Sequence, residues 1–164
     1  MTTSTSKKVI LTGSFAVGKT SLFNRFIYDQ FDERYLTTIG VKVNKKAVVI
    51  DEKEVSILLW DIAGEISQDK VPVTYFLGTS GLIYVFDLTR PSTYANLASD
   101  IAYLQQKVPG AVIKVVANKR DLVTDEELEV VLGKLSIQPD IITSAKKGDN
   151  VEALFENMAR ELAM

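Results

Sequence analysis

The chain has 164 residues and contains neither cysteine nor histidine. Without cysteine it has no disulfide, thiolate metal site, cysteine nucleophile or prenylation site. Without histidine it lacks the imidazole that most catalytic triads and the common zinc sites require. Phosphoryl transfer remains open to such a chain, because that chemistry depends on positioning and on charge from backbone amides, lysine and magnesium.

A strong excess of one charge and long apolar runs are also missing. The net charge is −2 and the basic residues are scattered, so we expect no nucleic-acid partner. No apolar run approaches the roughly 20 residues that span a bilayer, and residues 1–6 lack the apolar core of a signal peptide. We therefore expect a cytoplasmic protein. The length suits one well-cored domain, which we predict over residues 1–164.

Residues 13–20 read GSFAVGKT and match the phosphate-binding pattern G-x-x-x-x-G-K-[ST] at every fixed position. The apolar run before Gly13 predicts a strand, and the spacing of Leu22, Phe23 and Phe26 predicts a helix after the loop. A strand, a loop and a helix in this order are the context that the pattern requires. An ordinary glycine-rich turn is the alternative.

As a phosphate-binding loop, this segment would point its backbone amides and the positive end of its helix at the phosphates. Lys19 would reach the outer phosphates and Thr20 would ligate magnesium. Phe15 is bulky for a position so close to phosphate. The predicted nucleotide contacts of this segment are Gly13, Phe15, Ala16, Val17, Gly18, Lys19, Thr20 and Ser21.

Apolar runs alternate with amphipathic segments along the chain. The runs predict strands at residues 8–12, 41–50, 54–61, 81–88, 111–117 and 139–143. The amphipathic segments predict helices at residues 19–28, 68–77, 92–107, 125–135 and 150–163. The runs at 82–86 and 112–117 are typical of strands buried on both faces, whereas 41–50 and 54–61 indicate a hairpin. The expected fold is α/β, with a mostly parallel sheet, one antiparallel edge strand and helices on both faces.

Asp61 and Gly64 form a D-x-x-G pattern at the end of an apolar strand. An aspartate there can hold magnesium through water, and the glycine N–H can meet a terminal phosphate. Strand-ending aspartates and turn glycines are common, so the pattern is weak alone. Together with the phosphate loop it predicts part of the same site.

Two further motifs follow strands at the edge where open α/β sheets bind ligands. In Asn118-Lys119-Arg120-Asp121, the Asp121 carboxylate can accept hydrogen bonds from the N1 and N2 donors of guanine, which adenine does not supply. Asn118 can brace the loop and the Lys119 stem can lie along the base. In Thr143-Ser144-Ala145-Lys146, backbone N–H groups can reach the guanine oxygen, so Ser144, Ala145 and Lys146 are predicted contacts. Each tetrapeptide alone could be a solvated loop.

In order, these motifs resemble the Ras-like small GTPases, and most closely their Rab branch, from Lys7 to Leu162. The residues that carry the resemblance are GSFAVGKTSL (13–22), YLTTIGVKV (35–43), WDIAGE (60–65), YFLGTSG (75–81), NKRD (118–121) and TSAK (143–146). The resemblance implies a three-layer P-loop NTPase fold with six strands and five helices, and binding of GTP or GDP with Mg²⁺.

The resemblance also implies two switch segments that order around the terminal phosphate. Phe31 would stack beside the base, Tyr35 would close over the phosphates, and Thr38 would be the magnesium ligand from the first switch segment, in addition to the predicted metal-site residues Thr20 and Asp61. Effectors, exchange factors and activating proteins would bind a monomer through residues 35–43 and 62–77. The implied catalytic residues are Lys19, Thr38, Gly64 and Glu65.

Two departures from the family pattern flank the attacking water. Phe15 replaces a small residue, and Glu65 replaces the usual glutamine. A glutamine can accept from water and donate to the phosphoryl group, whereas an ionised glutamate only accepts. The Phe15 ring should crowd the space of an arginine finger. We therefore expect slow GTP hydrolysis and a poor response to an arginine-supplying activator, unless Phe15 packs harmlessly against residues such as Ile66.

A third departure concerns targeting and partners. The chain ends at residues 160–164 without the prenylated cysteines of the family, so we expect no direct membrane anchor in it. Either a tail was removed or the protein belongs to an unanchored, prokaryotic branch. The family's effector-binding triad corresponds to Val43, Trp60 and Tyr75. Val43 replaces the usual phenylalanine, and Trp60 and Tyr75 could equally be partly buried core residues.

Two rival functions remain open. The first is a GTP-bound interaction module that does not hydrolyse its ligand, which Phe15 and Glu65 favour. The second is a P-loop kinase or ATPase, against which Asp121 argues. No arginine-rich lid segment is visible in the sequence either.

Overall fold

The computed structural model describes residues 4–30, 41–62 and 71–163. Its six strands are β1 (Ser4–Gly13), β2 (Val41–Ile50), β3 (Lys53–Ile62), β4 (Thr79–Asp87), β5 (Val112–Asn118) and β6 (Ile141–Ile142). Its four α-helices are α1 (Lys19–Tyr28), α2 (Leu97–Lys107), α3 (Asp125–Lys134) and α4 (Val151–Leu162). Within these ranges, three short 3₁₀ helices lie at Val73–Phe76, Pro91–Thr93 and Arg120–Leu122.

The strands form one sheet in the order β2-β3-β1-β4-β5-β6. β2 is antiparallel to β3, and all other neighbours are parallel. Residues 81–87 of β4 are all buried, because helices cover both faces of the sheet there. The predicted mostly parallel six-stranded sheet with one antiparallel edge strand is therefore confirmed.

The helices differ from the prediction at two places. The helix predicted at 92–107 begins only at Leu97, after the 3₁₀ helix Pro91–Thr93. The described residues contain four α-helices rather than five, because the predicted helix at 68–77 is represented only by the 3₁₀ helix Val73–Phe76. Pro72 before it and Leu77 after it are both extended, with ψ of 134°. An extended residue on each side prevents the turn from growing into an α-helix. Residues 68–70 of the predicted segment lie outside the described residues.

Two apolar clusters cover the two faces of the sheet. One joins α1 and α4, where the rings of Phe26 and Phe155 stack with centroids 3.8 Å apart. The other buries Leu97, Ile101 and Leu104 of α2. These clusters define the three layers of the α/β fold. Within the described ranges, no helix has the length and apolar character needed to cross a membrane.

The carboxyl ends of four strands meet at one edge of the sheet. Gly13 ends β1, Asp87 ends β4 and Asn118 ends β5, while Asp61 is the penultimate residue of β3. The register pairs Gly13 with Val85 and Asp87 with Asn118. Ligands of open α/β sheets bind at this edge, so the fold brings the polar residues of the motifs to the expected position.

Candidate functional site

The loop between β1 and α1 adopts a backbone conformation that requires glycine at two positions. Gly13 and Gly18 have φ of +143° and +106°. A Cβ atom would lie 2.2 Å from the Val85 carbonyl oxygen at Gly13, and 2.1 Å from Asn118 Nδ2 at Gly18. Both positions are therefore closed to larger residues, and the loop is a cradle fitted tightly against β4 and β5.

Lys19 begins α1 and folds back over this cradle. Its Nζ donates to the carbonyl oxygens of Gly13 at 3.1 Å and Ser14 at 2.7 Å. The residue is buried, and burial lowers the pKa of Lys19 to about 8, against the opposing charge of Asp61 and with a further lowering by Arg90. A buried ammonium group held at the loop is suited to bind an anionic phosphate.

Thr20 and Asp61 place two oxygen donors beside Lys19. The Thr20 hydroxyl donates to Asp61 Oδ2 at 2.6 Å, and Asp61 is fully buried at the end of β3. A hydroxyl and a carboxylate are hard oxygen ligands of the kind that Mg²⁺ prefers. The donor set therefore fits a magnesium ion. The third predicted ligand, Thr38, lies outside the described residues.

Asn118 joins the phosphate loop to both predicted base loops. Its Nδ2 donates to the Val17 carbonyl at 3.0 Å, while its Oδ1 accepts from Thr143 Oγ1 at 2.9 Å and from the Ala145 N–H at 3.3 Å. The residue is buried, so these contacts satisfy its amide away from water. Its arrangement fixes three segments relative to one another.

Asp121 and the segment 143–146 face each other across the predicted base site. Ser144 Oγ donates to Asp121 Oδ1 at 2.8 Å, which leaves the second carboxylate oxygen for other donors. Arg25 of α1 also contacts this segment: its Nε donates to the Ala145 carbonyl at 2.9 Å and its Nη2 to the Lys146 carbonyl at 2.5 Å. Helix α1 thus holds the backbone of residues 143–146 in place.

The structure brings together the predicted residues of the phosphate loop, Asp61 and both base loops. Ser21 lies in the first turn of α1, and the Phe15 side chain is 39% exposed on the loop. The predicted residues Phe31, Tyr35, Thr38, Gly64 and Glu65 lie outside the described residues, as does Ile66.

The predicted effector triad is only partly at the surface. Val43 is exposed, whereas Trp60 and Tyr75 are half-buried and meet edge to face with centroids 6.0 Å apart. Lys8 Nζ lies 3.8 Å from the centre of the Trp60 ring and donates to the Tyr75 carbonyl at 2.5 Å. Both aromatic residues contribute to the cluster over α2.

Sequence reasoning missed Arg25, Asp87 and Arg90. Asp87 ends β4 at the same edge as Asp61, and its carboxylate lies 2.8 Å from Lys119 Nζ. A polar residue that ends a buried strand at this edge was an available signal. Arg25 and Arg90 reach the site from a helix and a loop, and no local pattern marks them.

A glycine-bounded loop between β1 and α1, with a lysine, two oxygen ligands and two further loops around it, defines a P-loop nucleotide-binding protein. The model of the Ras family matches residues 8–164. The chain is also 34% identical over 158 residues to Ras-related protein SEC4 of Saccharomyces cerevisiae, covering 93% of this chain and 73% of that protein. The chain therefore belongs to the Ras family of small GTPases, in its Rab branch. It is a small GTPase switch that binds GTP and GDP.

Proposed function

We propose that residues 1–164 act as one domain whose GTP and GDP states differ in the segments 34–43 and 62–77. The observation that carries the proposal is the convergence of the phosphate loop, Asp61 and the loops 118–121 and 143–146 at one sheet edge. The three contacts of Asn118 support the idea that phosphate and base are bound by one connected unit.

In this proposal the loop amides and Lys19 bind the phosphates and stabilise the charge that develops during transfer. Thr20 and Thr38 would hold a magnesium ion, Asp61 would orient the shell of that ion, and the bound ion would neutralise phosphate charge. Asp121 selects guanine through its free carboxylate oxygen. Water is the nucleophile, positioned beside Gly64 and Glu65.

We further propose that GTP hydrolysis is slow. Phe15 supports this, because it is a bulky, partly exposed residue of the phosphate loop, and its ring would crowd an arginine supplied by an activating protein. Glu65 also supports slow hydrolysis. An ionised carboxylate has no hydrogen to donate to the transferring phosphoryl group, and its negative charge repels the negatively charged phosphate.

Binding is tested by measuring the affinities for GTP, GDP and ATP of the parent chain, Asp121→Ala and the matched control Asp51→Ala. Asp51 is an exposed aspartate that pairs with Arg160 away from the site. We expect the parent and the control to prefer guanine nucleotides and Asp121→Ala to lose that preference. Tighter binding of ATP than of GTP by the parent would refute the assignment.

Hydrolysis is tested by single-turnover rates of the parent, Phe15→Gly and Glu65→Gln. We expect both variants to hydrolyse GTP faster than the parent. A parent that is already as fast as both variants would contradict the slow-hydrolysis proposal. Tight GTP binding with no turnover by any of the three would favour the rival function, a GTP-bound interaction module.

For partners, we propose that effectors, exchange factors and activating proteins bind through residues 35–43 and 62–77. In the described part of these segments, Val43, Val73 and Leu77 are exposed apolar residues at the surface. Contiguous exposed apolar patches are typical of protein interaction sites, and we propose that these three side chains contribute to one. Binding partners captured by the GTP-loaded protein and not by the GDP-loaded protein would support this surface, and charged substitutions at Val73 and Leu77 should abolish capture.

A further inference from the structure

Three consecutive carbonyl groups of the phosphate loop are each held by a side chain from outside the loop. Arg90 Nη1 donates to the Phe15 oxygen at 2.9 Å, Lys119 Nζ to the Ala16 oxygen at 2.9 Å, and Asn118 Nδ2 to the Val17 oxygen at 3.0 Å. Lys119 and Asn118 belong to the base motif. Arg90 belongs to none of the motifs.

When a hydrogen bond fixes the carbonyl of one residue, it also fixes the direction of the N–H of the next residue. The peptide unit is planar and trans, so the oxygen of one residue and the N–H of the next point in opposite directions. When Arg90 holds the Phe15 oxygen on the outer side of the loop, the Ala16 N–H is turned toward the inner side. In the same way, Lys119 orients the Val17 N–H and Asn118 orients the Gly18 N–H. Inward-pointing amides are what a phosphate cradle needs.

Arg90 is itself held in place. Its Nη1 lies 3.7 Å from Oδ2 of Asp87, which is fully buried. The other carboxylate oxygen of Asp87 accepts from the Thr89 N–H at 2.8 Å and from Thr89 Oγ1 at 2.6 Å. The carboxylate therefore has a fixed orientation, and it faces both Arg90 and Lys119. One buried charge anchors two of the three donors.

We propose that Arg90 is a positioning residue of the nucleotide site, which holds the Phe15 carbonyl outward so that the Ala16 N–H faces a bound phosphate. This rests on the proposed function, because it takes residues 13–20 as the phosphate loop. The residue that needs this support is Ala16, whose φ of +61° is unusual for a residue with a side chain. The hydrogen bond from Arg90 thus helps to hold the loop in a backbone conformation that would otherwise favour glycine at position 16.

The test compares GDP release from the parent, Arg90→Ala, Arg90→Lys and the control Arg160→Ala, which removes an exposed arginine paired with Asp51. We expect Arg90→Ala to release GDP about tenfold faster, equivalent to about 1.4 kcal/mol. Arg90→Lys retains a charged donor and should stay within about threefold of the parent. Arg160→Ala should match the parent. Circular dichroism of each variant checks that it is folded.

A second measurement separates positioning from general loosening of the site. GMP has one phosphate fewer than GDP and uses fewer loop amides, so Arg90→Ala should weaken GDP binding more than GMP binding. Equal weakening of both ligands, or GDP release at the parent rate, would overturn the proposal. A parent that binds no guanine nucleotide would instead refute the proposed function, so the two failures are distinguishable.

Discussion

The hydroxyl of Thr20 donates a 2.6 Å hydrogen bond to Oδ2 of Asp61, which joins the first turn of α1 to the end of β3. Asp61 is fully buried, so this contact stabilises a carboxylate that is shielded from water. The hydroxyl retains lone pairs while its proton is donated, and these can bind a cation. Two oxygen donors of the kind that Mg²⁺ prefers thus lie 2.6 Å apart, with both oxygens already oriented.

The first prediction concerns this pair. Thr20→Ala removes the hydroxyl, and we expect the affinity for GDP in the presence of Mg²⁺ to fall by at least about tenfold, in line with the loss of a metal-orienting group. Thr20→Ser keeps the hydroxyl and is the control, with affinity near that of the parent. The measurement is the rate of GDP release, which should rise as the affinity falls. It is made in Mg²⁺ and again in EDTA, and in EDTA the three proteins should release GDP at similar rates. If Thr20→Ala released GDP as slowly as the parent in Mg²⁺, the prediction that Thr20 is a magnesium ligand would be wrong.

Much of the sheet could be predicted because its pattern is local. The apolar run at 82–86 is a strand buried on both faces, and the hairpin of β2 and β3 is where the two neighbouring runs and their short connection indicate it. The helix predicted at 68–77 was wrong within the described residues, because Pro72 and Leu77 are extended on either side of one 3₁₀ turn. The apolar spacing of that segment reflects packing of Phe76 into the core rather than an α-helix.

The site was predictable only where one segment carries its own signal. Lys19 and Asp121 were identified because short motifs fix their residue types, although their roles remain predictions. Arg90 contacts a residue 75 positions away in the chain, and Asp87 is positioned by burial at the end of β4. The contact of Arg90 arises from the packing of distant elements, and no local spacing reveals it. For Asp87 the available signal was its place at the end of a buried strand, which does not show which residues it contacts.

The second prediction concerns Asp87. Asp87→Asn removes a buried charge that faces Lys119 Nζ at 2.8 Å, so the ammonium loses its carboxylate partner and keeps its hydrogen bond to the Ala16 carbonyl. We expect the free energy of unfolding to fall by about 2 kcal/mol, which is less than for a fully buried ion pair because Lys119 is partly exposed. Glu161→Gln makes the same chemical change in a partly exposed pair with Lys114, and should cost less than about 1 kcal/mol. Urea unfolding measures both, and equal effects would show that the Asp87 pair has no special role.

The third prediction concerns the turn between β2 and β3. Asp51 and Glu52 have φ of +49° and +68°, which favours glycine at the second position of such a hairpin turn. Glu52→Gly should raise the free energy of unfolding by up to about 1 kcal/mol, because the left-handed backbone no longer strains a side chain. Lys53→Gly, one residue later in β3, should lower it by roughly 0.5–1 kcal/mol. A Glu52→Gly variant less stable than the parent in urea would refute the argument.

The fourth prediction concerns pH and the start of α3. Thr124 Oγ1 accepts from the Glu127 N–H at 3.1 Å, and the Thr124 N–H donates to Glu127 Oε1 at 3.0 Å. The hydrogen bond from the Thr124 backbone N–H to the carboxylate, followed by a smaller contribution from the Thr124 side chain, holds the pKa of Glu127 below its ordinary value of 4.5, and burial acts in the other direction. Because the folded pKa is lower than the unfolded one, the ionised carboxylate stabilises the fold above pH 4.5. That stabilisation is lost as the pH falls through the folded pKa.

Glu127→Gln should therefore be less stable than the parent at pH 7, and the difference should shrink as the pH is lowered toward 3. Glu126→Gln, one residue earlier, changes the charge of the same helical turn without removing the contact with Thr124. Its difference from the parent should depend less on pH, because it leaves the capping box intact. Thermal unfolding of the three proteins from pH 3 to pH 7 provides the measurement. A difference between the parent and Glu127→Gln that stays constant over this range would show that ionisation of Glu127 does not stabilise α3.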